Sequence, residues 1–219
     1  MSTRQKYLLL HILIISFVFL SIPITQVAEC ARVIEPVLIV DKQGKQVDTK
    51  TSFINLRSSY RVLSVSQVQS MSNIFIQKKT NLGFYGHSTI NHDYEKKSIN
   101  GDKVVIDYAT GLMWHQSGSS NSMQWDKAKQ WVRDLNSRGY AGYHDWRLPT
   151  LEDAASLLES IKRDGLYIDS VFSNNQEWSW TGDEYDSEAA WSITFGLGGV
   201  YRDDVVDDDN GVRPVRSIK

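Results

Sequence analysis

Cysteine is nearly absent from this sequence. The 219 residues include a single cysteine, Cys30, so the chain can form no internal disulfide and carries no Cys-x-x-Cys metal or redox pair. A domain built from it must be stabilised by its core. With 41% hydrophobic and 23% charged residues, the composition is that of an ordinary globular protein with one main domain and an extension.

A clustered excess of basic charge is also lacking. The formal net charge is −2, from 24 Lys and Arg residues against 26 Asp and Glu residues. Proteins that bind nucleic acid through its phosphates present a concentrated basic face. The sequence therefore argues against nucleic acid as a partner.

Long hydrophobic runs are confined to the N-terminus. Arg4 and Lys6 precede an apolar stretch over residues 8–20, and small residues follow it. This layout is typical of a secretory signal peptide, so we expect residues 1–30 to be removed and the protein to be exported to the periplasm or cell surface. The alternatives are an uncleaved anchor and a lipid-modified Cys30, and membrane contact is expected only through this segment.

The rest of the chain divides into a partly structured N-terminal extension, residues 31–98, and a domain, residues 99–219. The extension carries weak patterns. The most regular is "LSVSQVQSMSNIFI", which is compatible with a helix that places Val65, Val68 and Met71 on one side.

Two amphipathic helices are predicted in the domain. The first covers residues 122–138, with Ser122 or Asn121 as its cap and apolar residues at helical spacing: Trp125, Ala128, Val132 and Leu135. The second begins at Thr150, with Asp153 completing a capping box, and ends near Gly165. Its expected buried face consists of Leu151, Ala154, Leu158 and Ile161.

Strand patterns surround these helices. "KVVIDYATGLMWH" predicts a strand, a turn and a second strand, and "EWSWT", "AAWSITF", "GGVYR" and "GVRPVR" predict short strands near the C-terminus. In "AAWSITF", Trp191, Ile193 and Phe195 alternate onto one face. Helices followed by antiparallel strands favour an α+β fold.

The segment "GYAGYHDWRLPT" connects the two helices. We expect Trp146 and Leu148 to anchor it in the core, and Arg147 to bind carboxylates or backbone carbonyls. His144 and Asp145 are adjacent, and adjacent residues in extended chain point in opposite directions. The segment is therefore interpreted as a structural corner rather than as a catalytic pair.

An ordered set of motifs resembles the Lcl C-terminal domain family, bacterial exported domains named for a collagen-like adhesin. The motifs are "DYATGLMWHQ", "GYAGYHDWRLPTLEDAASLL", "IDSVF", "WSWT", "AAWSITF" and "VRPVR", and the resemblance covers residues 99–216. It implies a C-type-lectin-like fold, with two helices packed on short antiparallel strands and a shape related to formylglycine-generating enzymes. For the adhesin member it implies binding to sulfated glycosaminoglycans.

Two features of related folds are missing. The domain lacks the cysteines through which formylglycine-generating enzymes work, so that activity is not expected. It also lacks the Glu-Pro-Asn and Trp-Asn-Asp triplets of calcium-dependent lectins, so no sugar specificity follows from them.

The candidate ligand-binding residues lie in the strand-rich half, where rings stand beside polar groups, as in surfaces that stack on sugars. They are Trp180, Glu184, Tyr185, Tyr201, Arg202, Asp203 and Asp204. The alternative for the tryptophans is a place in the core, because Trp178, Trp180 and Trp191 cannot all face solvent.

Five aspartates occur between residues 203 and 209. Their spacing does not fit an EF-hand, so we interpret the segment as a solvated loop. A loose Ca²⁺ site is the weaker alternative, with the ligands Asp203, Asp204, Asp207 and Asp209.

These patterns predict an exported, non-catalytic binding or adhesion module that recognises a glycan or surface protein through loops of its strand-rich half. No cofactor is expected. The acidic loops favour a neutral or cationic ligand over a sulfated one. The alternatives are an envelope enzyme of hydrolase or modifying type, although "HQSGSSNS" lacks a nucleophile elbow, and a structural envelope protein.

Overall fold

The computed structural model describes residues 53–218, which form two antiparallel sheets and a few short helices. The helices are α1 (Val65–Val68), α2 (Trp125–Arg138) and α3 (Leu151–Ser156). The strands are β1 (Ile74–Thr80), β2 (Gly83–Ser88), β3 (Tyr94–Ile99), β4 (Asp102–Asp107), β5 (Leu112–His115), β6 (Trp178–Glu184), β7 (Ala189–Thr194), β8 (Gly199–Asp204) and β9 (Val215–Ser217). The α+β class is confirmed. β4 and β5 precede α2, as the pattern over residues 103–115 predicts, and β1 to β3 are further strands ahead of them.

Strands from both ends of the described chain share one sheet. The five-stranded sheet has the order β1-β2-β8-β7-β6, and the four-stranded sheet has the order β3-β4-β5-β9. The β2–β8 contact requires glycine at position 83, because a β-carbon there would lie 1.9 Å from the Val200 carbonyl oxygen. Sequence reasoning proposed a longer helix around Val68, but the helix covers only Val65–Val68 before the chain enters β1.

Helix α2 confirms the predicted apolar stripe but not its cap. The four predicted residues are buried, and Gly139 ends the helix in the left-handed conformation at φ 67°. The N-cap is Gln124, without a side-chain hydrogen bond, rather than Ser122 or Asn121. The preceding residue, Met123, pairs its backbone with Asn210, so the chain stays extended up to that point.

Helix α3 begins as predicted and ends early. The Thr150 hydroxyl accepts from the Asp153 N–H, and the Asp153 carboxylate accepts from the Thr150 N–H, which completes the capping box. The helix ends at Ser156, where the following amides bond to carbonyls three residues back and tighten the last turn. Leu158 is buried, but Ile161 is 65% exposed and is not part of the buried face.

Two apolar clusters fill the fold. One contains Trp191, Ile193 and Val200 from the five-stranded sheet, together with residues of α3 and of the other sheet. The second places α2 against the opposite face of the five-stranded sheet and includes Trp146 and Leu148, each 2% exposed. The prediction that these two residues anchor the corner in the core is confirmed.

Residues 53–98 are integral to this fold. The Arg57 guanidinium makes two hydrogen bonds to the Asp183 carboxylate, of 2.8 and 2.7 Å, and both side chains are buried. The contacts of the chain group Ser52–Lys219 into one compact unit. Residues 53–98 of the predicted extension therefore belong to the same compact unit as residues 99–218. The predicted signal segment, residues 1–30, lies outside them, and within residues 53–218 no helix has the length and apolar character needed to cross a membrane.

Candidate ligand-binding site

The five-stranded sheet distributes the predicted site residues over its two faces. Tyr201 pairs with Ser192, and the next residue, Arg202, pairs with Trp191 in the core. Because neighbouring residues on a strand point to opposite faces, Tyr201 and Asp203 share one face while Arg202 belongs to the other. The structure therefore does not assemble the predicted residues into one site.

Three aromatic side chains meet on the face that carries Tyr201. The Tyr201 ring centroid lies 5.6 Å from that of Tyr85 on β2 and 5.5 Å from that of Trp178 on β6, and both contacts are edge-to-face. All three residues are half-buried. Burial and a hydrogen bond with Tyr85 hold the pKa of the Tyr201 hydroxyl well above its usual range. We call these three residues the aromatic platform.

Small residues beneath the rings allow the platform to form. Thr194 pairs with Trp178 on one side and with Gly199 on the other, and Gly199 in turn pairs with Tyr85. A β-carbon at position 199 would lie 3.2 Å from Cδ1 of Tyr85 and 2.5 Å from the Phe84 carbonyl oxygen. Glycine therefore lets the Tyr85 ring approach the backbone of β8.

Trp180 is not at the surface, which corrects its assignment as a ligand-binding residue. Its side chain is 0% exposed, and its indole N–H donates to the Met123 carbonyl at 2.7 Å. Trp178 and Trp180 share a face of β6, but the start of α2 covers only the Trp180 end, where the Trp125 indole N–H donates to the Thr181 carbonyl at 2.8 Å. Trp178 is half-buried, whereas Trp180 is fully buried.

Tyr185 and Arg202 form a separate contact on the other face. The Arg202 guanidinium carbon lies 4.5 Å from the centre of the Tyr185 ring, which packs edge-to-face on Trp191 at 5.9 Å. The backbone N–H of Glu184 donates to the Arg61 carbonyl at 3.0 Å. Tyr185 and Arg202 therefore lie at the border of the core, on the face opposite to the platform, whereas Glu184 pairs with Ala190 at the end of β6 that is distant from Trp178.

Asp203 is an acidic residue on the same face of the sheet as the platform. Its Oδ2 accepts hydrogen bonds from the Ser192 hydroxyl at 2.6 Å and from the Asn210 side-chain amide at 2.9 Å. Burial raises the pKa of Asp203, although these two hydrogen bonds favour the charged form. The carboxylate is thus held in a fixed position two residues along β8 from Tyr201.

The other aspartates of this segment stabilise their own loop. The Asp204 carboxylate accepts from the backbone N–H groups of Val206 and Asp207, which lower the pKa of Asp204. Asp208 accepts from the Asp204 N–H at 2.8 Å. In the part of the chain that the structure describes, no three His, Cys, Asp or Glu side chains lie close enough to hold a metal ion. The alternative Ca²⁺ site is therefore not assembled by its candidates Asp203, Asp204, Asp207 and Asp209.

The corner between α2 and α3 is structural. His144 Nδ1 donates to the Asn136 carbonyl, whereas Asp145 forms a salt bridge with Arg216 at 2.7 Å. The two side chains have different partners and do not converge. Arg147 donates to the Asp153 carboxylate at 2.7 Å and to the Leu148 carbonyl at 3.0 Å, as predicted for a residue that binds carboxylates or carbonyls.

A cleft of about 260 Å³ lies elsewhere, along the segment that leads into β6. Its charged lining residues are Arg163, Asp164 and Asp169, and none was a predicted site residue. Asp169 accepts from the Val171 N–H at 2.7 Å, which orders the loop. This hydrogen bond stabilises the loop that lines the cleft.

Sequence reasoning missed Tyr85, because it treated residues 31–98 as an extension. The motif "GFYGHS" carries the signal that could have found it. In this strand Phe84 is buried and Tyr85 is half-exposed, which is the alternation of a strand with one covered face. The motif alone does not show that β2 pairs with β8.

The fold and the platform define a mixed α+β domain with two antiparallel sheets and a half-buried aromatic surface on one of them. The model of the Lcl C-terminal domain family matches residues 103–216, just over half of the 219-residue chain. The chain belongs to this family. A search of the curated proteins found no match for the chain.

Proposed function

We propose that this protein is an exported, non-catalytic binding module that recognises a glycan or a surface ligand. The observation that carries the proposal is the aromatic platform of Tyr85, Trp178 and Tyr201, whose rings are half-buried and in mutual contact. Rings fixed in this way lose little conformational freedom on binding and offer apolar area beside hydroxyl groups. The β-sheet beneath them provides a rigid support.

The platform replaces the loop site expected from the sequence. Of the predicted residues, Tyr201 belongs to the platform and Asp203 lies beside it, while Tyr185 and Arg202 belong to the other surface. Glu184 lies at the end of β6 opposite to Trp178, paired with Ala190. Asp204 serves the loop after β8. The proposed binding surface is therefore the face of the sheet, bordered by that loop.

The C-type-lectin-like fold is part of the same proposal. Helices α2 and α3 packed on short antiparallel strands are compatible with it. The layout of residues 1–30 supports export to the periplasm or the cell surface, where a module of this kind meets glycans and surface proteins.

The charge near the platform supports a neutral or cationic ligand. Asp203 lies on the platform face, and the loop that follows carries four further aspartates. Sulfated chains would meet like charge there. We therefore expect heparin-like chains to bind weakly and in a salt-sensitive manner.

A glycan and surface-protein array tests the proposal. We expect the chain from residue 31 onward to bind at least one array component, and the Trp178→Ala and Tyr201→Ala variants to bind it less. The matched control is Tyr185→Ala, a ring on the opposite face of the sheet. Binding to no component, or turnover of a component into a new product, would contradict the proposed function.

A further inference from the structure

The aromatic platform continues into a ring pair on β1 and β2. Phe75 pairs with His87 in the strand register, and their ring centroids lie 5.1 Å apart. His87 follows Tyr85 by two residues on β2, so both side chains point to the same face. Phe75 is 53% exposed. Together with the platform, these two residues form what we call the aromatic row.

The aromatic row crosses the whole five-stranded sheet, from β1 at one edge to β6 at the other. Neighbouring strands lie about 4.8 Å apart, so four spacings correspond to roughly 19 Å. A monosaccharide or a single side chain would cover only part of this length. The row therefore fits an extended chain that lies across the strands.

The shape of the row favours sugar rings over a proline-rich peptide. Proline-rich segments bind in grooves between aromatic walls. Here Tyr201 contacts both Tyr85 and Trp178 edge-to-face, which closes the space between the rings. A closed, shallow surface suits the flat apolar face of a sugar ring, with its hydroxyl groups at the rim.

Charged side chains lie at the β1 end of the row and beside its centre. At one end, Lys78 pairs with Tyr85 in the register of β1 and β2 and is exposed. On β8, the central strand, Asp203 lies on the same face as Tyr201 and two residues further along the strand, with its Oδ2 held by Ser192 and Asn210. A positively charged amino group is attracted to this carboxylate, whereas a sulfate group is repelled by it.

We propose that the aromatic row binds a linear, unsulfated glycan, with a free amino sugar next to Asp203. This inference rests on the proposed binding function and adds the ligand class, the length of the site and its direction across the sheet. It also assigns a binding role to β1 and β2, which precede the residues that the family shares.

The probes are three hexasaccharides: fully acetylated N-acetylglucosamine, its partly deacetylated form and a heparin fragment. The protein is obtained from expression of the full chain, and affinity is measured by calorimetry. We expect the partly deacetylated hexasaccharide to bind several-fold tighter than the acetylated one, and the heparin fragment to bind weakest. A disaccharide of the acetylated series should bind at least tenfold more weakly than the hexasaccharide.

Variants separate the contributions of the row. Phe75→Ala, Trp178→Ala and Tyr201→Ala should each lower the affinity for both glucosamine-type hexasaccharides by about tenfold. Asp203→Asn should remove the preference for the partly deacetylated form while binding of the acetylated form persists. Tyr185→Ala, on the other face, should leave both affinities unchanged. Because Phe75 is more than half exposed, Phe75→Ala keeps the fold, which a thermal melt checks.

Three outcomes would overturn the inference and leave the proposed function intact. In the first, hexasaccharide binding is unaffected by Phe75→Ala and Tyr201→Ala. In the second, the heparin fragment binds more tightly than the glucosamine-type chains. In the third, the protein selectively binds a proline-rich peptide. Failure to bind these probes together with every component of the glycan and surface-protein array would instead overturn the proposed function itself.

Discussion

Arg57 and Asp183 form a bidentate salt bridge between residues 126 positions apart, at N–O distances of 2.8 and 2.7 Å. The Asp183 carboxylate also accepts from the backbone N–H groups of Arg61 and Leu151, so it joins the segment before β1 to the start of α3. The Arg57 side chain is 9% exposed and that of Asp183 is 0% exposed. The domain that the family shares is thus completed by residues that precede it.

Loss of this salt bridge should destabilise the whole domain. Arg57→Ala leaves Asp183 charged and buried without its main partner, so we expect the free energy of unfolding to fall by about 3 to 5 kcal/mol. Urea denaturation measures this. The matched control is Arg61→Ala, because Arg61 is exposed and contacts Asp183 through its backbone. Equal stability of the two variants would contradict the role assigned to Arg57.

The effects of substitutions at Gly182 and Tyr60 on the free energy of unfolding should be strongly non-additive. A β-carbon at position 182 would lie 2.1 Å from Cε1 of Tyr60, whose hydroxyl donates to the Leu148 carbonyl at 3.1 Å. Gly182→Ala should therefore cost about 1 to 2 kcal/mol in the native background and much less in a Tyr60→Ala background. A double-mutant cycle by thermal melts measures this. Gly196→Ala is the control, since the nearest atom to a β-carbon there is 3.4 Å away.

The stability of the protein should fall in mild acid because of His115. Burial and the nearby Arg213 lower the pKa of His115 to about 4, and its Nδ1 accepts from the Gly118 N–H at 3.0 Å. The unfolded chain takes up this proton near its ordinary pKa of 6.5, whereas the folded protein resists it until about pH 4. The stabilisation is therefore complete above pH 6.5 and is lost as the pH falls toward 4, by roughly 3 kcal/mol.

Denaturation curves from pH 7 to 4 measure this dependence. His115→Gln keeps a hydrogen-bond acceptor for Gly118 but does not titrate in this range, so its curve should be flatter. His144→Gln, at an exposed position, should retain the pH dependence of stability seen in the native protein. If His115→Gln shows the same pH dependence of stability as the native protein, the acid sensitivity comes from other groups.

The corner between α2 and α3 should depend on its tryptophan and not on its histidine. Trp146 is 2% exposed, and its indole N–H donates to the Tyr140 carbonyl at 3.0 Å. Trp146→Ala should cost about 3 to 5 kcal/mol, because it leaves a cavity and removes one of the hydrogen bonds that the Tyr140 carbonyl accepts. His144→Ala should change stability by about 0.5 kcal/mol or less and leave ligand binding intact. Loss of binding in a stable His144→Ala protein would reverse these roles.

The sequence alone determined the features that depend on residues close together in the chain. The apolar stripe of α2, the Thr150–Asp153 capping box and the burial of Trp146 were predicted and are confirmed. Each results from spacings of a few residues, which set hydrogen bonds and faces wherever the element is placed. The family also followed from short motifs in a fixed order.

Only the tertiary structure decided which surfaces remain open. Alternation along β6 places Trp178 and Trp180 on one face, but the position of α2 decides that Trp180 is fully buried and Trp178 only half-buried. The pairing of β2 with β8 brings Tyr85 to Tyr201. These contacts join segments far apart in the chain, and their register depends on the packing of the whole sheet, which no local periodicity encodes.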